Sequence, residues 1–171
     1  MNTDSIRHLY DHSFWATRKI LDATQRLTPA QYDGHPWDTP SIHEILTHTL
    51  AASEMWLARW LGETPTARVN TDDVPTPADL AARYGAHEGN LRAYLATLTD
   101  DDLSAPFTFR TAVDGVTSTL PLWTLLLQIY GHNIQHRSEA AAILTHYGQS
   151  PGNLDLLIYE RERPGDLSRG V

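Results

Sequence analysis

The sequence predicts an all-α protein, a four-helix bundle with one short β-hairpin between its third and fourth helices. Three observations predict it. Apolar residues recur with a helical period over four stretches of roughly twenty residues. Capping residues, proline or glycine bound each stretch. Strand-like alternation is confined to residues 105–120, so no sheet is large enough to build a core.

The first helix is expected from about Ser5 to Leu27, where Ile6, Leu9, Tyr10, Phe14, Ile20 and Leu21 share a face. Thr28-Pro29 ends it or opens a short turn, and residues 30–40 read as a loop. The second helix is expected from about Ser41 to Leu61. Ser41 is its N-cap, Glu44 completes a capping box, and Gly62 stops it. Its stripe runs through Ile42, Ile45, Leu46, Thr49, Ser53, Trp56 and Trp60. A long loop with three prolines follows. The third helix opens with Thr76 as N-cap and Pro77 at the first helical position, where a missing N–H costs nothing, and runs to Leu98. Phe107 and Phe109 alternate with polar residues before Asp114-Gly115 and a Val-Thr-Ser-Thr run, which is the pattern of a hairpin. The fourth helix begins after Thr119 and ends at Gly148. In the tail, the apolar run Leu154 to Tyr159 precedes a charged end expected to be loose. Residues 1–171 read as a single domain without repeats. The long connections allow an order other than up-down-up-down.

A formal charge of -8 argues against nucleic acid and against an anionic membrane surface as partners. No apolar run approaches the length of a membrane span, and no leader is apparent in the first residues, so a cytoplasmic location is expected. The chain has no cysteine, which removes thiolate ligands and a cysteine nucleophile. Any thiol chemistry needs a thiol brought in from outside.

Nine histidines give the chain its chemistry. His132 and His136, four residues apart on the fourth helix, share one face. That face is apolar: Leu122, Leu125, Leu126, Ile129, Ile143, Leu144 and Tyr147 form the stripe, with His136 inside it and His132 at its edge. Imidazoles aimed at a core need partners, and a metal ion is one. A catalytic zinc site holds three protein ligands and keeps one open position. His48, flanking the second stripe beside Ala51 and Ala52, is the first choice for the third ligand. His87, inside the third stripe, is the rival and reads better as a core or pocket-lining residue. His8 and His12 repeat the four-residue spacing but lie opposite the first helix's stripe, so they read as solvated. His35, His43 and His146 need no function. Glu54 and Arg137 are expected to pair between helices. The five tryptophans read as core and interface anchors. Nucleotide-binding glycine motifs, His-Glu-x-x-His and the serine-nucleophile elbow are absent.

Residues 41–60, SIHEILTHTLAASEMWLARW, and residues 132–158, HNIQHRSEAAAILTHYGQSPGNLDLLI, resemble the second and last helices of the DinB-like (DinB/YfiT) family. The specific part is a helix-2 histidine followed, at this separation, by His-x-x-x-His-Arg. The resemblance implies a DinB/YfiT-like four-helix bundle with a metal ion on three histidines, which here are His48, His132 and His136. Ser138-Glu139 departs from the Gly-Gln that many members carry and leaves the surroundings of the ligands open. Characterised relatives include thiol-dependent isomerases and S-transferases that use low-molecular-weight thiols, and others are regarded as metal-dependent hydrolases.

The resemblance thus implies a divalent-metal-dependent enzyme, a thiol-dependent S-transferase or related activity in stress or detoxification, acting on a small molecule. Three neutral imidazoles leave an ion its charge and an open position, where it lowers the pKa of a bound thiol or water. Zinc or nickel comes first and manganese or iron next, with a low-molecular-weight thiol as a second cofactor. The electrophile is expected in a pocket formed by the loop after the second helix and the hairpin. One alternative is a hydrolase with His87 or Asp155 as base. The other is a non-enzymatic metal- or small-molecule-binding bundle, in which His87 closes a four-coordinate site. A homodimer is compatible with all three.

Overall fold

The computed structural model describes residues 1–65, 67–110 and 115–163. Four long helices carry the fold: α1 (Thr3–Thr24), α3 (Ile42–Trp60), α4 (Pro77–Thr97) and α6 (Leu122–His146). Between them lie the short helices α2 (Pro29–Tyr32) and α5 (Asp100–Ser104) and the strands β1 (Pro106–Arg110) and β2 (Thr117–Pro121). A last helix, α7 (Leu156–Glu162), takes up the apolar run of the tail. The helix starts follow their local chemistry. The Ser41 hydroxyl accepts from the Glu44 amide while the Glu44 carboxylate accepts from the Ser41 amide, and Thr76 caps α4 ahead of Pro77. Such caps contribute about 1 kcal/mol each.

The strands pair antiparallel, Pro106 opposite Pro121 and Arg110 opposite Thr117. Asp114, half of the expected turn signal, lies outside the described residues, as does the tail beyond residue 163.

Hydrogen bonds fix the directions of the helices. Tyr10 donates to the Leu126 carbonyl, Arg137 to the Ser13 hydroxyl and Arg26 to Gln149, so α1 and α6 run parallel. Arg7 reaches the Leu95 and Leu98 carbonyls while Gln25 reaches that of Pro77, so α1 and α4 are antiparallel. Tyr84 donates to the Leu46 carbonyl and Tyr94 stacks on Trp60, which makes α3 and α4 parallel. Ser53 donates to Asn133 on α6, which runs against α3. The order is therefore up, down, down, up. The loop after α3 carries the chain back along the bundle, and α5 with the hairpin carries it across from α4 to α6.

Two apolar clusters form the core. Ile20, Ile42, Leu46, Leu80 and Leu144 anchor one end; Ile6, Leu57, Leu91 and Leu126 anchor the other. Each such side chain stabilises the fold by about 1.5–3 kcal/mol. Arg137 is 5% exposed. Its guanidinium donates to the Ser13 hydroxyl at 2.7 Å, with the Thr17 hydroxyl 3.4 Å away. The expected pairing of Arg137 with Glu54 does not form. Glu54 instead takes a two-pronged ion pair from Arg83, both contacts at 2.9 Å. Arg83 approaches Glu54 from the parallel helix α4, whereas Arg137 turns inward toward α1.

The first helix differs from expectation on its outer face. His12 is buried: its Nδ1 faces the Tyr130 hydroxyl at 3.0 Å and its Nε2 the Leu154 carbonyl at 2.9 Å. His8 meets Glu160. Both histidines are covered by the tail and α7, which pack on the face opposite the α1 stripe. Trp37 also departs from the expected core role, being 60% exposed.

Candidate metal centre

Helices α3 and α6 run side by side where His48 faces His132 and His136. The four-residue spacing stacks the two α6 rings edge to face with centroids 4.4 Å apart. The His48 ring lies 5.3 Å from that of His132 and 4.9 Å from that of His136. One nitrogen from each imidazole falls within 4.8 Å of the other two. His132 and His136 are half-buried and His48 is exposed, so the cluster opens to solvent on the His48 side.

The polar surroundings bear on what the cluster can hold. His136 Nδ1 donates to Glu139 Oε2 at 2.6 Å, one turn further along α6. That bond commits Nδ1 and leaves Nε2 as the ligating atom. His132 Nε2 is buried and meets no hydrogen-bond partner, a position that costs free energy unless something fills it. Burial, followed by the neighbouring His136 and His48, pushes His132 down to about 4. Burial and then His136 and Arg68 lower His48 as well. Both therefore stand as neutral nitrogen donors near pH 7. Glu139 is raised by burial, but its hydrogen bonds from His136 and Gln135 outweigh this and hold it below the usual carboxylate value. A three-imidazole set with an orphaned nitrogen and a carboxylate behind one ring fits a divalent transition metal.

The other histidines fall elsewhere. Among the described residues, His48, His132 and His136 are the one group of three such side chains close enough to share an ion. His87 is not part of it. That residue is buried on α4, its Nε2 has no partner, and it lines a separate cavity with Ser13, Tyr84 and Asn133. Asp155 precedes α7 and acts on His12 from the α1 side. His43 is buried between the Asp33 carboxylate and the Val74 carbonyl, clamping the loop after α3. His35 and His146 are exposed.

A groove of about 300 Å³ opens beside His48, walled by α3 and the loop that follows it. Ala51 and Ala52 keep it wide, and Arg68 and Asn70 supply its polar rim. The loop half of the expected pocket is thus in place. The hairpin is not part of it: Phe109 packs on Trp56 toward the opposite end of the bundle. Two residues of this site receive no role from the sequence: Glu139 stands there only as a departure from the family pattern, and Arg68 not at all. Glu139 carried a usable signal, the three-residue offset from His136. Arg68 carried none, since only the path of the loop brings it here.

An all-α bundle with three imidazoles converging between antiparallel helices defines a class of helical proteins equipped to hold one divalent ion. A family model of the DinB superfamily matches residues 15–140, and the chain belongs to that superfamily. The match spans all three histidines of the cluster. A search of curated proteins found no match.

Proposed function

We propose that this protein is a divalent-metal-dependent enzyme in which His48, His132 and His136 hold the ion and a small external thiol is the nucleophile transferred to an electrophilic substrate. The observation that carries the reading is the buried, unpartnered His132 Nε2 within reach of two further imidazoles. With three protein ligands, the ion keeps an open position at which it lowers the pKa of a thiol or a water.

The chain's own groups favour the thiol. A free thiol titrates near 8.5, whereas water needs far more help. A hydrolase needs a base beside the attacking water. Glu139 is engaged by His136, and neither His87 nor Asp155 belongs to the cluster. The roles of the site residues follow. His48 and His132 bind as neutral donors, and Glu139 holds a proton on His136 Nδ1 and so aims Nε2. Ala51 and Ala52 leave room for the electrophile. Zinc or nickel suits the all-imidazole set.

The test is elemental analysis of tag-free protein, comparing wild type with His136→Ala and His8→Ala. About one equivalent of metal in wild type and His8→Ala, lost in His136→Ala, is the expected result. Conjugation of 1-chloro-2,4-dinitrobenzene should then require both metal and an added thiol. Turnover of ester or amide substrates without thiol would replace the transferase reading with a hydrolase. Folded protein that takes up no divalent ion would remove both.

A further inference from the structure

The groove beside His48 carries an unmatched positive charge. Several arginines on the bundle surface are paired: Arg18 with Glu88, Arg83 with Glu54, Arg92 with Asp11 and Glu88. Arg68 makes no ion pair with any described residue, although acidic residues outnumber basic ones by 21 to 13. The one carboxylate that lines the groove, Glu44, is held elsewhere. Its Oε2 accepts from the Ser41 amide at 2.8 Å and lies 3.5 Å from His35.

The backbone that presents Arg68 is anchored. Val69, next in the chain, is buried in the core cluster with Val74. Asn70 and Asp73 cap the intervening turn reciprocally, and His43 binds the Val74 carbonyl. A guanidinium held at the rim of a cleft, with its fork of donors unclaimed, matches a carboxylate.

We propose that Arg68 is a specificity-determining residue: the groove takes a carboxylate carried by the molecule that engages the three-histidine site. The proposal rests on the reading of His48, His132 and His136 as metal ligands. It adds the class of molecule that the site selects, an anionic one, and the residue that reads it. Arg59, whose guanidinium lies over Trp56 at 5.0 Å, is the control. It shares the charge and the neighbourhood but does not line the groove.

The test uses full-length protein loaded with cobalt(II) at low ionic strength. Binding of ω-mercapto acids with two, three and six carbons is compared with that of the matching ω-mercapto alcohols. The signal is the near-ultraviolet absorption cobalt gains when a thiolate joins it. At least one acid should bind about threefold to tenfold more tightly than its alcohol. Arg68→Gln should abolish that preference, bringing each acid to the level of its alcohol, and Arg59→Gln should retain it. Cobalt uptake with equal binding of acids and alcohols, or a preference that survives in Arg68→Gln, overturns the role of Arg68 and leaves the metal site standing. A preference due to the ion alone gives that second result. Failure to take up cobalt overturns the metal-site reading, and the proposal with it.

Discussion

Glu139 accepts a 2.6 Å hydrogen bond from His136 Nδ1. The bond fixes the ring's tautomer and makes its other nitrogen a better donor to a metal. Glu139→Gln keeps the shape but exchanges the carboxylate for a weaker acceptor. Zinc affinity, measured by competition with a chromophoric chelator, should fall by roughly tenfold or more. Unchanged affinity would show that the carboxylate is a bystander on the α6 surface.

Metal binding should stabilise the fold without being required for it, because both core clusters form without the histidines. An ion at a hundredfold excess over its Kd adds about 2.7 kcal/mol. For a chain of this size that is a rise in Tm of roughly 5–11 °C. The rise should reverse on chelation and be missing in His132→Ala. An equal rise in that variant would place the bound ion elsewhere.

Arg137 is buried among hydroxyls, and burial lowers its guanidinium to about 10. Its charge is therefore a burden that its packing offsets. Arg137→Met retains much of the stem and should stay within about 1.5 kcal/mol of wild type in urea unfolding. Arg137→Ala leaves a void and should lose about 2–4 kcal/mol. Equal losses would show that the charge itself holds the middle of the bundle.

Acid should weaken the metal-free fold through His87 and His12, in addition to His132 and His48 of the cluster. Burial holds all four below the ordinary histidine value of 6.5, for His12 against the raising effect of its bond to the Leu154 carbonyl. The unfolded chain therefore binds more protons in this range. Their contribution is complete above 6.5 and is lost as the pH falls below it. Thermal unfolding in chelator from about pH 8 to about pH 5 should show the decline, and His87→Gln should lessen it. A slope that His87→Gln leaves unchanged would assign the decline to other groups.

Features written locally were legible in the sequence. The Ser41–Glu44 box, the Thr76-Pro77 start and the stripes gave the four long helices because caps and periodicity act within a turn or two. His132 and His136 could be paired by spacing, and His48 was added from its stripe and from the family resemblance. What depended on distant packing was not legible. His12 read as solvated because its cover, the segment from Leu154 into α7, arrives from the other end of the chain. Arg137 lay within reach of more than one partner, and the parallel setting of α1 and α6 gave it to Ser13. Arg68 reached the groove through the burial of Val69, an event that no local pattern announces.

The up-down-down-up order has a consequence for how the centre comes into being. His48 leaves the ribosome early, on a helix whose partner is made only after the return loop, α4 and the hairpin. A nascent chain therefore carries only one member of the cluster, His48, for most of its synthesis, and the three meet only when α6 docks. On the proposed reading, metal capture would follow completed folding: a chain that stalls before α6, or mispairs its helices, has no assembled cluster with which to load an ion.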